Sequence, residues 1–335
     1  MRSPLASIAL AASSLLAACG GTAPSGVAPS SRPRAAAAAP SPVATTPEQG
    51  EPAVEAPLPP GTYRIKLTRS VRPGDRRHET TVATDSLDAR VVLGKRVLKD
   101  DQRRVRVSFV ATSRVLSVDA RGKPTANEYS VEKFVADGAR GDEPIVPAGT
   151  VMKVVKGAKD GAEPHVESTS GALSRDALKA LGLVVSTKAG ATTDDDVFGT
   201  REPRRPGSSW PVAGERAAID LSGTGFHMTA SDVEGQTRFI DVKDERGTEC
   251  LQIAGRLTAK ASGFDGLPPG STFERAVLGV DFAGSFPVDL GKPVVRQTTR
   301  VTIDLRAQIP TEDGPAVFTM TGLQTRDSTY EAAAP

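Results

Sequence analysis

The residues of this chain that could do chemistry are three histidines, a Ser-x-x-Lys step, a run of three aspartates and a cysteine in the C-terminal half. His78, His165 and His227 stand far apart, without the HExxH spacing that puts two imidazoles on one helix face. His165-Val166-Glu167 matches the opening of a zinc deaminase signature, but the Pro-Cys-x-x-Cys half is missing. A structural or solvated role is the simpler reading of all three. Ser130-Val131-Glu132-Lys133 has the spacing at which a lysine one helical turn away activates a serine. Its neighbours Tyr129, Val131, Phe134 and Val135 do not favour a helix, and the companion SDN and KTG steps are missing. Asp194-Asp195-Asp196 offers clustered carboxylates to calcium. After Thr193 the same run also reads as the first turn of a short helix, where acidic side chains complement the dipole. Arg140-Gly141-Asp142 spells an adhesion tripeptide in turn-rich sequence. Cys250 lies in Glu249-Cys250-Leu251-Gln252-Ile253, which reads as a strand, so a buried inert thiol is expected ahead of an intermolecular disulfide or a nucleophile. No catalytic, cofactor or metal residue is assigned from these features.

Cys19 has a more specific setting. A short basic start, Met1-Arg2-Ser3, leads into the uncharged apolar stretch Leu5 to Leu16, which ends in Leu16-Ala17-Ala18-Cys19. These are the physical requirements of a secretory signal. As a helix the stretch would span roughly 18 Å, against a hydrocarbon core of about 30 Å. Gly20, Gly21 and Pro24 prevent its extension. Leu16-Ala17-Ala18-Cys19 resembles the lipobox of bacterial lipoproteins. The resemblance implies cleavage between Ala18 and Cys19, a diacylglyceryl thioether on Cys19 and a third acyl chain on the new amino group. One buried chain holds a protein only marginally and three hold it effectively permanently. Gly20 follows the cysteine in place of the aspartate that marks inner-membrane retention in enterobacteria. The expected location is therefore the cell envelope, lipid-anchored, on the outer membrane facing the periplasm or the surface.

Residues 19–60 read as the lipidated cysteine and a disordered tether. There are ten prolines from Pro24 to Pro60 and no aromatic residue between Gly20 and Pro60, so the segment has too little apolar surface to offset its ordering entropy. A flexible coil of this length reaches roughly 35 Å. Residues 61–330 are long enough to bury a substantial core. The chain carries 42 Lys+Arg against 40 Asp+Glu, and loss of Arg2 with the signal leaves 41 against 40. That balance, with 4% aromatic residues and one tryptophan, argues against nucleic acid as a partner.

Period-two alternation positions whatever site there is. Tyr63, Ile65 and Leu67 alternate with Arg64, Lys66 and Thr68; Val105, Val107, Phe109 and Ala111 repeat the pattern, as do Leu278, Val280 and Phe282, and Val301, Ile303 and Leu305. Lys159-Asp160-Gly161, Glu245-Arg246-Gly247, Asp289-Leu290-Gly291 and Glu312-Asp313-Gly314 supply turn chemistry between such runs. The predicted fold is mainly β, with long antiparallel meanders in two groups forming a curved sheet, half-barrel-like or sandwich, and one or two short helices between them. One helix starts at Ser174, carries Ala177, Leu178 and Leu181, and stops at Gly182. The two halves are placed at 61–166 and 210–330.

Asp194-Asp195-Asp196-Val197-Phe198-Gly199 followed by Gly207-Ser208-Ser209-Trp210-Pro211-Val212 resembles an uncharacterised β-rich domain family of bacterial lipoproteins, in which a glycine-serine-tryptophan step opens the second half. That resemblance implies no activity. Two classes of function remain. The first is a non-enzymatic binding or structural module on the membrane, with a hydrophobic ligand or an envelope protein as partner. The second is a periplasmic hydrolase whose acid-base residues are dispersed in sequence.

Overall fold

A computed structural model describes residues 58–138, 141–157, 164–186 and 192–333. The signal, Cys19 and the tether up to residue 57 lie outside the described residues, as do Arg140 and the Lys159-Asp160-Gly161 turn.

Alternating burial builds one large antiparallel sheet. The first meander comprises β1 (Arg76–Leu93), β2 (Arg96–Val118), β3 (Pro124–Gly138), β4 (Gly141–Pro144), β5 (Val151–Val155) and β6 (His165–Ser168). Helices α1 (Arg175–Val184) and α2 (Asp194–Phe198) follow, then β7 (Ser209–Pro211), α3 (Gly214–Ser222) and the two-residue β8 (Phe226–His227). The second meander is β9 (Val233–Glu245), β10 (Thr248–Ala261), the short β11 (Gly263–Phe264), β12 (Thr272–Pro287), β13 (Arg296–Thr311) and β14 (Gly314–Ala332). The strand order is β6-β5-β3-β2-β1-β14-β13-β12-β10-β9-β7, with β4 on β3, while β8 and β11 form a separate pair.

That order is a meander whose first and last strands are joined, from Arg77↔Ala332 to Val92↔Val317. The two groups of strands therefore share one sheet. It stays open between β6 and β7, both very short strands, which limits the unpaired edge available to another chain.

Each expected turn that lies in the described residues closes a hairpin. Arg246 and Gly247 take φ of 57° and 76°, the left-handed pair that suits the twist of a tight hairpin, and the Asp244 carboxylate accepts from the Gly247 N–H at 2.9 Å. Two expectations fail. Residues 64–67 are not a strand: Tyr63 makes an isolated bridge to Arg204, and the backbone N–H groups of Leu67 and Thr68 donate to the Asp195 carboxylate at 2.7 and 3.0 Å. Ile65 and Leu67 are buried as their pattern demands, but a helix side chain, not a neighbouring strand, satisfies the backbone. Helix α1 starts as expected, with the Ser174 hydroxyl accepting from the Ala177 N–H. It runs through Gly182 to Val184 because Leu183 and Val184 are buried, and that burial outweighs the roughly 1 kcal/mol glycine penalty.

The inner face of the sheet is apolar on both wings and polar at the seam. Beneath the second meander, Phe198, Trp210, Phe239, Leu257, Leu278, Phe282 and Phe286 belong to one cluster that Ile65 and Leu67 close. Beneath the first, α1 packs Leu181 and Val184 with Val107, Phe109, Phe134 and Met152. Between them stand Thr81 and Ser328, opposite each other and almost fully buried, with their hydroxyls 2.9 Å apart. Ser328 also accepts from Arg326 Nε at 3.1 Å. Ser328→Ala should therefore strand the Thr81 hydroxyl and destabilise the fold by about 1–3 kcal/mol. Adding Thr81→Val should recover part of that loss in denaturant titration.

Candidate functional site

An opening lies on each face of this sheet. The first lies beneath α1. Ser174 caps a helix whose buried side carries Ala177 and Ala180 one turn apart, then Leu181, Leu183 and Val184. The two alanines are too small to reach the strands below, which leaves a 370 Å³ pocket walled by Ala177, Ala180, Leu183, Val105, Ala136 and Ile145. This volume lies within the range of small-ligand sites, about 300–1,000 Å³. Its polar boundary is Asp85 and Arg103, with Asp176 and Lys179 on the helix. Asp85 is buried on β1, and Arg103 Nη2 donates to it at 2.5 Å. Arg103 Nε is also buried, with no hydrogen-bond partner. The pocket is thus apolar on its walls and carries one guanidinium donor at its end.

The second opening is a cavity of 1170 Å³ on the opposite, polar face. One rung of side chains crosses it, each directly opposite the next: Gln236, Arg256, Asp281, Arg300, Thr325, Thr84 and Arg106. Seven strands from β9 to β2 contribute to a single space, so the sheet curls towards this face. Arg256 Nε donates to Asp281 at 2.5 Å and Arg296 Nη2 to Asp327 at 2.7 Å. Arg106 lies 3.7 Å from Asp137. The concave face open to solvent is therefore polar, whereas the apolar face is covered by α1, α2, α3 and residues 63–67.

The three aspartates do not converge on a cation. Asp194 is buried and accepts from Gln297 Nε2 on β13 at 3.2 Å. Asp195 holds the backbone of Leu67 and Thr68 and lies 3.1 Å from Lys66 Nζ. Asp196 and Thr193 form a reciprocal capping box. Asp194 and Asp195 fasten other segments to α2 and Asp196 caps its first turn, which bears out the helix-start reading. The glycine-serine-tryptophan step serves the same docking. Trp210 Nε1 donates to the Phe198 carbonyl at 2.9 Å, and Phe198 stacks on Phe282 at 5.3 Å between ring centres. Gly255 is required there, because a Cβ would come within 2.7 Å of the Phe198 ring.

The remaining candidates stay apart. His78 pairs with Glu132, His165 with Glu167 and His227 with Asp265, at 3.2, 3.0 and 2.6 Å, all on exposed surface. Among the described residues no group of three His, Cys, Asp or Glu side chains is placed to hold a metal. Ser130 and Lys133 lie in β3, not on a helical turn, and Lys133 pairs with Asp142 at 2.7 Å. Cys250 is fully buried, and burial, reinforced by Glu245 and Asp244, pushes its thiol up to about 11. It stays protonated at neutral pH, as an inert core thiol does. Among the described residues no helix is long and apolar enough to cross a membrane. The polar seam and the pocket beneath α1 had no local sequence signal, since both are made by pairing and packing across long separations.

No family model matches the chain, and no curated protein matches it. Among solved structures, a structure of lipovitellin concerned with its lipid-protein interactions is 8% identical over 79% of this chain, with a TM-score of 0.32. This chain spans 26% of that one. OpdQ of Pseudomonas aeruginosa is 6% identical, covering 76% of this chain and 98% of its own, with a TM-score of 0.24. An outer membrane channel from Pseudomonas putida F1 is 8% identical, covering 80% and 99%, with a TM-score of 0.19. At these TM-scores the likenesses are distant.

Burial raises the Asp194 carboxyl to about 8, and the neighbouring Asp195 and Asp220 push the same way against the Gln297 hydrogen bond. The native state then keeps a proton that the unfolded chain has released. Asp194 therefore lowers stability progressively as pH rises from the ordinary carboxylate range to about 8. Asp194→Asn retains an acceptor for Gln297 and removes the ionisation. Its melting temperature should fall less than the parent's between pH 5 and pH 8, as measured by thermal scans across that window.

Proposed function

We propose that this chain is a lipid-anchored protein of the cell envelope that works by binding and not by catalysis, with the pocket beneath α1 as the seat of an apolar group. The pocket itself carries the reading. Its walls are aliphatic, it is the size of a small-ligand site, and two alanines in α1 hold it open. Core helices normally fill such space, because an unfilled cavity forfeits packing energy. The Asp85–Arg103 pair marks one end as polar, so the occupant suited to it is an amphiphile, with an apolar body against Val105 and Leu183 and a polar group at Arg103.

The membrane attachment rests on Leu16-Ala17-Ala18-Cys19 and the apolar stretch before it. Acyl chains on Cys19 would keep the domain within a tether's reach of lipid, where an amphiphile is available. A binding role also agrees with the groove carboxylates Asp281 and Asp327, each held by an arginine, and with the burial of Asp194 out of reach of any substrate.

Mass spectrometry of the full chain, extracted from membranes in mild detergent, tests both parts. The parent should carry a noncovalent amphiphile and covalent acyl mass. Ala180→Phe fills the pocket and should lose the amphiphile with an unchanged or raised melting temperature. Cys19→Ala should lose the acyl mass and keep its signal uncleaved, with the amphiphile still bound. Equal ligand in the parent and Ala180→Phe, or none in either, rejects the pocket. An unchanged mature mass in Cys19→Ala rejects the anchor.

A further inference from the structure

We infer that the concave polar groove is a second binding site, for a hydroxyl-rich polyanionic polymer that lies across the strands. The groove is on the opposite face of the sheet from the α1 pocket, and the inference does not depend on that pocket. Its charges are unequally committed. Asp281 is held by Arg256 and Asp327 by Arg296, while the side chains of Arg238 and Arg300 line the groove exposed and make no hydrogen bond or ion pair among the described residues. Glu234 is the lining carboxylate that has no arginine partner among the described residues. Two guanidiniums thus remain for a ligand, one in the middle of the floor on β13 and one on the β9 wall.

The surroundings select the kind of anion. Thr84, Thr298 and Thr325 supply hydroxyls on the floor beside Arg300, suited to hydrogen bonds with a hydroxyl-rich chain. Ala254 and Ala283, neighbours across β10 and β12, keep the floor low between Arg238 and Thr298. The one aromatic residue along the groove, Phe282, is buried on the other face. Neutral sugars and bases therefore find no ring to stack on, and charge has to supply the affinity. A sheet face offers no free backbone N–H or C=O, which removes the strand-addition mode by which extended peptides bind. A flat bilayer cannot reach Arg300 inside a concavity. A flexible chain carrying carboxylates or phosphates between hydroxyls meets all of these conditions.

Binding of the full chain in mild detergent should be measured against polygalacturonate, a polyol phosphate polymer and uncharged dextran, with anionic phospholipid vesicles as a further arm. One or both polyanions should bind, with affinity falling steeply as salt is raised, while dextran should not. Which polyanion binds distinguishes carboxylate from phosphate recognition. Arg300→Gln and Arg238→Gln should each weaken binding about ten-fold, the effect of removing one charge-assisted hydrogen bond. Both sites are exposed, so the melting temperature should not change, and Arg300→Lys should restore part of the affinity. No polymer binding, binding to dextran as strong as to the polyanions, binding to vesicles only, or unchanged affinity in a variant carrying both Arg238→Gln and Arg300→Gln would overturn the inference.

Discussion

Everything in this fold depends on the pairing of its first strand with its last. Without the β1–β14 ladder there would be two separate meanders, each with a long exposed edge and a half-covered apolar face. With it, one sheet runs from β6 to β7 and both faces become continuous. The register also sets the chemistry of each face, because a slip of one residue would move every side chain to the other side. In the register observed, Thr81 and Ser328 meet inside while Thr84 and Thr325 face the groove.

The seam is unusual for the centre of a sheet because its buried side is polar. Burying hydroxyls and carboxylates is costly unless they are paired, and here Thr81 faces Ser328, Asp85 takes Arg103, and Gln297 reaches one oxygen of Asp194, whose other oxygen has no partner among the described residues. The polar seam separates two apolar clusters, each covered differently. Under the second meander the cover is α2, α3 and the segment around Ile65 and Leu67, tied down through Asp195. Under the first it is α1, whose alanines leave the pocket. The curl towards the opposite face turns what would be an ordinary solvated surface into a groove.

Much of this was legible from alternation alone. Leu278, Val280 and Phe282, and Val301, Ile303 and Leu305, point inward as their spacing requires, and the turn residues mark the hairpins. The mainly β class, the curved sheet and the helix beginning at Ser174 follow from the same patterns. Strand β1 gives no such signal, because its buried positions include Glu79, Thr81 and Asp85, and a pattern of apolar residues cannot reveal a polar interior. Tyr63 to Leu67 show the converse case. Their alternation is real and Ile65 and Leu67 are buried, yet the backbone partner is a carboxylate 127 and 128 residues away. The pocket is invisible for a related reason: Ala177 and Ala180 look like ordinary core alanines until the distance to the strands beneath them is known. The groove arises from curvature, which the polar residues lining it do not encode individually.

Amide hydrogen exchange across the whole chain tests the joined seam most directly. If β1 and β14 are the centre of one sheet, their amides should be among the most slowly exchanging and should become exposed together as denaturant is raised. Fast exchange along either strand, or protection of the two meanders lost in separate steps with β14 behaving as an edge, would contradict the account.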